Sequence, residues 1–347
     1  MAYAKLEFSK GEITRAGNIL RDPSSRREDL WWALTVLSNF RAAHYYPINT
    51  FQATLRQKLK SIDSSALVAR RLKRTPSIVA KLERESGMDL LRMQDIGGLR
   101  AVVKTLKQVR ALYDNYKQTN FLHKLSGEKD YINSPKISGY RSVHLIYRYY
   151  KNDIIDYNGL RLELQIRTKV QHAWATAVET LGTFIDHSLK SSEGPEEWLS
   201  FFSLAGSAFA HLEGCNPVPG YEQLSAIDTY KLTAKRAIEL SVFDQLTTFS
   251  SAVNTLSNTK LKGSYYLLVL DPKNKTVFYR PYSKERLQEA TEDYLTEEKK
   301  AIEGSKTQVV LVAADSITSL KRAYPNYFLD THEFLNLITR VSSIASK

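Results

Sequence analysis

The stretch RLELQIRT, residues 161–168, alternates strictly between apolar and polar side chains. Successive side chains of a strand point to opposite faces, so Leu162, Leu164 and Ile166 are expected in a core. The opposite face then carries Arg161, Glu163, Gln165 and Arg167. Thr168 is suited to cap the helix that VQHAWATAVETLG predicts next. A chain with this stretch is expected to contain a sheet with one charged face, followed directly by a helix.

Helical and strand-like patterns divide the first three quarters of the chain. Residues 1–65 and 171–258 have apolar side chains at helical spacing, whereas residues 66–170 alternate short strand-like runs with helices. This order predicts an α/β (α+β) domain over residues 1–258, in which helices flank a mixed sheet.

The pattern changes after residue 258. Three strand-like runs, YYLLVLD, KTVFYR and TQVVLVAAD, precede a terminal helix predicted at about 316–342. We therefore expect a second, small α+β module over residues 259–347.

The net charge of +12 is concentrated in one part of the sequence. Residues 51–150 hold 20 Lys and Arg against 8 Asp and Glu, and the other 247 residues hold 29 of each. Clustered cations are typical of a surface that binds nucleotide phosphates or an RNA backbone. A basic face that serves only solubility gives the same count, so the charge leaves both interpretations open.

Composition excludes several classes of protein. The single cysteine, Cys215, rules out an internal disulfide framework and a multi-cysteine zinc site, and it is typical of a reducing compartment. The sequence has no run of 18 apolar residues, and its first residues lack the apolar core of a signal peptide. We expect a soluble, cytoplasmic protein that does not associate with a membrane.

A strand followed by a helix is expected at residues 66–81. The run ALVARRLK predicts a strand in which Arg71 and Lys73 point to the same side, and the Thr-Pro pair after it suits the N-cap and first position of a helix. Ser77 and Lys81, four residues apart, share a face of that helix. These side chains and the helix N-terminus would suit a triphosphate, although a basic surface turn explains the pattern equally well.

Two carboxylates are candidates for metal binding and proton transfer. In DIGGLR, Asp95 precedes two glycines and an apolar strand, which suits a Mg²⁺ ligand beside phosphates. Glu163, flanked by two arginines on its strand face, would be held ionised as a metal ligand or a base. An ordinary capping Asp and an amphipathic surface strand are the alternatives.

Residues 129–144, KDYINSPKISGYRSVH, form a loop that leads into a strand. Tyr140, Ser142 and His144 are expected on one face of that strand. An aromatic ring at the loop–strand junction, backed by Lys136 and His144, suits stacking on a nucleobase. Tyrosines are also common on strands for packing alone.

In this order, the four stretches resemble the RelA/SpoT-type pyrophosphokinase (alarmone synthetase) domain over residues 66–175. The resemblance implies a nucleotidyltransferase-like mixed sheet and an enzyme that moves a pyrophosphate group from ATP to the 3′-hydroxyl of an acceptor nucleotide. It implies Mg²⁺ held by Asp95 and Glu163, with Glu163 also activating the hydroxyl. The residues that it implies for ATP binding are Arg71, Lys73, Ser77, Lys81 and Arg100. Those that it implies for acceptor binding are Lys129, Lys136, Tyr140 (stacking the base), His144, Gln165 and Arg167.

Two features depart from the family pattern. Long family members carry an N-terminal hydrolase domain with a His-Asp metal pair. Only about 65 residues precede the motifs here and no His-Asp dipeptide occurs, so we do not expect this activity. The acceptor loop has Ser138 where users of guanosine nucleotides commonly have Asn, which leaves the acceptor open.

The C-terminal part resembles CapRel, a family of fused toxin–antitoxin proteins of phage defence, through the YxxY motif of Tyr324 and Tyr327. This resemblance implies transfer of pyrophosphate to the 3′-CCA end of tRNA, which blocks translation. It also implies an inhibitory C-terminal pseudo-zinc-finger module that is released by a phage major capsid protein. The module has no Cys and only His332, so we expect no zinc site. We expect Tyr324 and Tyr327 to block the adenine site of ATP, with packing alone as the alternative.

Two further functions stay open at this point. A small alarmone synthetase that makes (p)ppGpp or (p)ppApp from ATP and a free nucleotide would use the same catalytic residues with another acceptor. A catalytically inactive RNA-binding or sensor protein is the third interpretation, and the presence of both Asp95 and Glu163 argues against it. The candidate tRNA contacts are Arg26, Arg27, Arg56, Lys58 and Lys60. The sequence indicates no oligomeric state.

Overall fold

Three helices form the first part of the chain, as the spacing of its apolar residues predicts. The computed structural model describes residues 3–118, 121–184, 194–251, 264–271, 274, 276–300, 307–313 and 331–347. The helices are α1 (Lys10–Arg21), α2 (Arg27–Ala43) and α3 (Tyr45–Ile62). A capping box begins α1, because the Ser9 hydroxyl accepts from the Glu12 amide while the Glu12 carboxylate accepts from the Ser9 amide.

A five-stranded mixed sheet occupies the centre of the molecule. Its strands are β1 (Leu67–Leu72), β2 (Gly97–Val103), β3 (Lys124–Asp130), β4 (Val143–Arg148) and β5 (Arg161–Thr168). They lie in the order β1-β2-β5-β4-β3, and only β2 and β5 run parallel. The mixed α+β architecture predicted from the sequence is confirmed.

Strand β5 follows the predicted alternation. Leu162, Leu164 and Ile166 are buried in the main core with residues of α1, α2 and α3. The elements that pack around this sheet are α4 (Thr75–Arg84) and α5 (Leu106–Gln118), together with the short 3₁₀ turns Leu90–Arg92 and Ile155–Tyr157. The polar face of β5 is thereby turned away from the main core.

A second apolar cluster joins helices from distant parts of the sequence. It contains α6 (Lys169–Phe184), α7 (Glu196–Glu213), α8 (Ala226–Glu239), α9 (Val242–Ser251) and the last helix, α11 (His332–Ala345). The side chains of Phe334, Ile338 and Val341 on α11 are fully buried in this cluster. The terminal helix is thus part of the core around α7.

Three strands follow in the C-terminal part, where the sequence predicts them. They are β6 (Tyr265–Asp271), β7 (Thr276–Tyr282) and β8 (Gln308–Ala313), in an antiparallel sheet of order β7-β6-β8. Helix α10 (Leu287–Lys300), after the 3₁₀ turn Lys284–Arg286, packs on this sheet, and β8 contacts β1. The predicted boundary near residue 258 lies outside the described residues, so the limits 1–258 and 259–347 stay a prediction. Within the ranges given above, no helix is both long and apolar enough to cross a membrane.

Candidate active site

A cleft opens where the C-terminal end of β1 meets the neighbouring strands β2 and β5. It is lined by Ala69, Arg70, Arg71, Lys73, Asp95, Gly98, Leu99, Arg100, Glu163 and Gln165. The two carboxylates lie close together because β2 and β5 pair in parallel, with Gly98 opposite Glu163 and Asp95 just before β2. The structure therefore brings together the predicted catalytic residues and the cations Arg71, Lys73 and Arg100.

Hydrogen bonds to neighbouring side chains fix the carboxylate of Glu163. His144 Nδ1 lies 2.8 Å from its Oε1 atom, and Gln165 Nε2 donates to its Oε2 atom at 2.8 Å. Burial and the charge of Asp95 raise the pKa of Glu163, but the bonds to His144 and Gln165 outweigh them, so this pKa lies below its ordinary value. Glu163 is thus an ionised, oriented acceptor for a proton.

The predicted reason for the ionisation of Glu163 is wrong in part. Arg161 does not contact Glu163 but donates from Nη1 to the Arg92 carbonyl at 2.7 Å. Arg167 is buried, with only 1% of the residue exposed, and its Nη2 lies 2.8 Å from His172 Nδ1. The hydrogen-bond partner His144 comes instead from β4, a neighbouring strand that the alternation within β5 cannot reveal.

Asp95 lies between two lysines of the predicted ATP site. Lys73 Nζ lies 2.6 Å from Oδ2, and Lys81 Nζ lies 3.2 Å from Oδ1. Burial alone raises the pKa of Asp95, but the two ammonium groups dominate and lower it to about 2. The positive charges of Lys73 and Lys81, predicted to bind ATP, thus neutralise the carboxylate of Asp95, the predicted metal ligand.

Asp95 and Glu163 fit the requirements of Mg²⁺. Protein sites for Mg²⁺ in phosphate chemistry commonly provide one or two carboxylates, with the remaining ligands from phosphates and water. Both carboxylates face the same cleft, and their negative charges repel one another. A cation bound between them would reduce this repulsion. The described part of the chain contains no group of three or more His, Cys, Asp or Glu residues that could hold a metal. A Mg²⁺ site here would therefore depend on phosphate oxygens.

The residues predicted to bind the acceptor range from buried to exposed. Tyr140 is 5% exposed, its hydroxyl lies 2.8 Å from His144 Nε2, and its ring packs against Trp174. With the proton of His144 on Nδ1, this histidine accepts from Tyr140 and donates to Glu163. Lys136 Nζ lies 4.8 Å from the ring centre of Tyr131, which is half-buried and lies edge-on to Tyr140. Lys129 is exposed on β3, across from His144 on β4.

Helix α4 begins one residue earlier than the sequence predicts, at Thr75 instead of Pro76. Arg74 is the N-cap residue and provides no side-chain hydrogen bond, while Thr75 is the first helical residue. The Thr75 amide donates at 2.8 Å to Oε1 of Glu298, a residue 223 positions away on α10. A carboxylate from the C-terminal part thus caps the helix that carries Ser77 and Lys81.

The capping carboxylate belongs to a buried cluster that sequence reasoning missed. Arg41 Nη1 lies 2.8 Å from Glu298 Oε2, and both side chains are at most 5% exposed. Arg41 also donates to the Lys73 carbonyl at 2.9 Å and to the hydroxyl of Tyr294. No local pattern marks Arg41 or Glu298, because their partners lie up to 257 residues apart in the sequence.

The C-terminal prediction on Tyr324 and Tyr327 concerns residues outside the described ranges. Their predicted contact with the adenine site therefore stays a prediction. Among the described residues, Glu298 of α10 contacts the donor helix at Thr75, and Tyr294 of the same helix accepts from Arg41 of α2.

The centre of the chain matches a known protein family. Residues 70–182 match the family described as "Region found in RelA / SpoT proteins". This match covers about a third of the chain. This region contains the cleft, both carboxylates and the acceptor loop, and it agrees with the resemblance read from the motifs.

Two curated relatives each match about a third of the chain. GTP pyrophosphokinase YjbM of Bacillus subtilis (strain 168) is 33% identical over 127 residues, which cover 35% of this chain and 54% of that protein. GTP pyrophosphokinase YwaC of the same organism is 33% identical over 112 residues, covering 30% and 52%. The chain thus spans about half the length of the curated relatives that it matches.

Solved structures of similar proteins overlap with half of the chain. A GTP pyrophosphokinase family protein from Streptococcus pneumoniae has 26% identity and a TM-score of 0.43, covering 50% of this chain and 88% of that one. The small alarmone synthetase 1 from Bacillus subtilis, bound to its product pppGpp, has 28% identity and a TM-score of 0.41, covering 48% and 90%.

Proposed function

We propose that this protein is an ATP-dependent pyrophosphokinase that modifies the 3′-hydroxyl of the tRNA 3′-CCA end and thereby blocks translation. The observation that carries the enzymatic part is the pairing of Asp95 and Glu163 in one cleft with Arg71, Lys73 and Arg100. Cations there suit a triphosphate, and the oriented carboxylates suit activation of a hydroxyl. The names of the curated relatives support pyrophosphate transfer in general.

In the proposed reaction the acceptor hydroxyl oxygen bonds to the β-phosphorus of ATP. The bond between that phosphorus and the oxygen bridging to the α-phosphorus breaks, and AMP leaves with the electron pair. Glu163 takes the hydroxyl proton, since it is ionised and held by His144 and Gln165. When ATP binds, the ammonium groups of Lys73 and Lys81 move from Asp95 to the phosphates of ATP. Mg²⁺, when bound by Asp95 and Glu163, supplies charge neutralisation at the phosphates.

The choice of tRNA as acceptor rests on the charge of the chain. The entire excess of +12 lies within residues 51–150, and a tRNA backbone offers many phosphates where a free nucleotide offers few. Arg56 and Lys60 of α3 are exposed, as contacts with tRNA require. The alternative is a small alarmone synthetase that makes (p)ppGpp or (p)ppApp, which the names of the relatives favour.

The C-terminal part is proposed to inhibit the enzyme until a phage major capsid protein binds, in the manner of CapRel. The capping of α4 by Glu298 supports this proposal, because it joins the C-terminal part directly to the helix of the donor site. The chain should be tested whole, because truncation near residue 258 also removes Phe334, Ile338 and Val341 from the core around α7.

The decisive assay incubates the full chain with ATP labelled in its γ-phosphate and, separately, bulk tRNA, GDP or GTP. It is run with and without purified capsid protein. We expect label on tRNA only when capsid protein is present, and about a thousandfold loss in Glu163→Gln because the base is gone. Glu128→Gln, an exposed carboxylate on β3, is the matched control. Label on guanosine nucleotides alone would exclude the tRNA acceptor, and no label on any acceptor would exclude the transferase.

Inhibition by the YxxY motif is tested in the same assay. The double variant Tyr324→Ala/Tyr327→Ala should label the acceptor and arrest growth without capsid protein, because the adenine site is then open. A variant that stays inactive and harmless without the trigger would contradict this part of the proposal.

A further inference from the structure

Helix α7 and the residues just after it contact the back of the acceptor loop, residues 131–142, at four places. The Ser203 hydroxyl donates to the Ile137 carbonyl at 2.6 Å, and Gly206 lies against Gly139. Glu213, the last residue of α7, forms an ion pair with Arg141 at 2.9 Å. Just beyond the helix, the Asn216 side chain donates to the Asn133 carbonyl at 2.8 Å. One helix and the residues after it thus hold the loop from Asn133 to Arg141.

The contact between Gly206 and Gly139 is a close approach of two backbones. A Cβ atom on Gly206 would lie 2.7 Å from the Cα atom of Gly139, and a Cβ atom on Gly139 would lie 2.7 Å from the Phe202 carbonyl oxygen. Gly139 also has a φ of 93°, which side-chain-bearing residues rarely adopt. Neither glycine can gain a side chain unless the helix and the loop move apart.

The backbone of the loop is held against α7 at Ile137, while the side chains of Lys136 and Ile137 are exposed. Ile137 is 72% exposed although its carbonyl is bound to Ser203. Within the loop, Gly139 N–H donates to the Lys136 carbonyl at 2.8 Å and Lys136 N–H donates to the Tyr140 carbonyl at 3.2 Å. This arrangement fixes the direction in which Lys136, Ile137 and Tyr140 point.

We propose that Ser203 and Gly206 of α7 are positioning residues that set acceptor affinity by fixing the conformation of the loop. The inference rests on the proposed function in one respect, namely that residues 129–144 bind the acceptor. Neither residue is expected to touch the acceptor or ATP, since both act on the loop backbone from behind. Ser203 is 8% exposed, which is consistent with this indirect role.

The test compares Ser203→Ala with Ser207→Ala in the full chain. Ser207 is the matched control, since it lies one turn further on α7, is fully buried and accepts from the Val218 amide instead of touching the acceptor loop. Hydrogen exchange at the amides of Lys136 and Gly139 is measured first. We expect exchange there about five- to tenfold faster in Ser203→Ala, because the loop loses a hydrogen bond worth about 1 kcal/mol, and unchanged in Ser207→Ala.

Kinetics then separate loop positioning from a general loss of structure. With bulk tRNA, GDP and GTP as acceptors, Ser203→Ala should raise the acceptor KM about five- to tenfold and leave the KM for ATP within twofold. Gly206→Ala should have a larger effect in the same direction, and Ser203→Ala keeps the test informative if Gly206→Ala does not fold. Equal exchange in both serine variants overturns the inference. If exchange becomes faster only in Ser203→Ala and no acceptor is labelled, α7 still positions the loop but the proposed function is overturned.

Discussion

Two buried arginine–glutamate pairs lie behind the two sides of the cleft, and they differ in how completely they are satisfied. Behind the donor side, Arg41 donates to Glu298, Thr75, Tyr294 and the Lys73 carbonyl. Behind the acceptor side, Arg141 forms its pair with Glu213, but its Nε and Nη2 atoms have no partner in the described part of the structure. The Arg41 pair is thus hydrogen-bonded on several sides by the protein's own groups, whereas the Arg141 pair is bonded less completely.

Arg167 repeats this feature of the acceptor side. It is buried, and its Nε and Nη1 atoms have no hydrogen-bond partner among the residues that the structure describes. Burial and the nearby charge of Arg100 lower the pKa of Arg167. Buried donors without partners are rare in folded proteins and indicate a bound anion or water. The pair behind the donor side is thus hydrogen-bonded within the protein through Glu298, whereas Arg141 and Arg167 make fewer hydrogen bonds to the described residues.

The largest effect on stability is expected at the closed donor-side pair. Glu298→Ala leaves the charge of Arg41 buried and the Thr75 amide without an acceptor, so the free energy of unfolding should fall by about 3 kcal/mol. Urea denaturation measures this, with Glu297→Ala as control, since Glu297 pairs with Lys300 on the protein surface and should cost less than about 0.5 kcal/mol. Equal losses in both variants would show that Glu298 is not a structural cap.

A smaller effect is expected at the acceptor-side pair. Glu213→Ala removes the partner of Arg141 and an acceptor for Thr168 and Gln171, and we expect a loss of about 2 kcal/mol. The loss is smaller because Arg141, Thr168 and Gln171 bind Glu213 through their side chains, whereas Glu298 also accepts from the backbone amide that begins α4. Glu239→Ala, at the corresponding last position of α8 and paired with Arg236 at the surface, is the control. A loss greater than that of Glu298→Ala would reverse the comparison.

The pH dependence of stability tests the lysine–aspartate contacts on the donor side. The pKa of Asp95 is lowered to about 2, so its contribution is full above its ordinary pKa and is lost as the pH falls through 2. At pH 6 the wild type should exceed Asp95→Asn by about 1–2 kcal/mol in free energy of unfolding, and about half of this should remain at pH 3. Asp114→Asn, an exposed change on α5, is the control, and a difference that does not depend on pH would refute the assignment.

The smallest effects are expected at the exposed cations of α3, which belong to the basic segment 51–150. Arg56→Ala and Lys60→Ala on α3 should each weaken tRNA binding about two- to threefold and reduce the slope of log affinity against log salt by about one. Binding of GDP should not change. Lys231→Ala, an exposed cation on α8 outside the basic segment, is the control. Loss of GDP binding in the α3 variants would place these cations at the nucleotide site instead.

Periodicity and motif order determined much of this molecule. The alternation at 161–168 predicted the buried apolar face of β5, although Arg167 of the opposite face is buried as well. The strand–helix pattern at 66–81 predicted β1 and α4. These predictions are confirmed because neighbours in sequence fix the direction of a side chain on a strand or helix. Placing Asp95 and Glu163 in one cleft followed from the family resemblance and agrees with the pairing of β2 and β5.

The tertiary structure alone decided which groups hold the site in place. Glu298 caps α4 from a distance of 223 residues in sequence, His144 and not Arg161 binds Glu163, and α7 holds the acceptor loop. Gly206 in the middle of a helix was the one available signal, since glycine there disfavours the helix and needs a packing reason. The remaining contacts join elements that are distant in the sequence, and local propensity carries no information about which distant partner folding brings near.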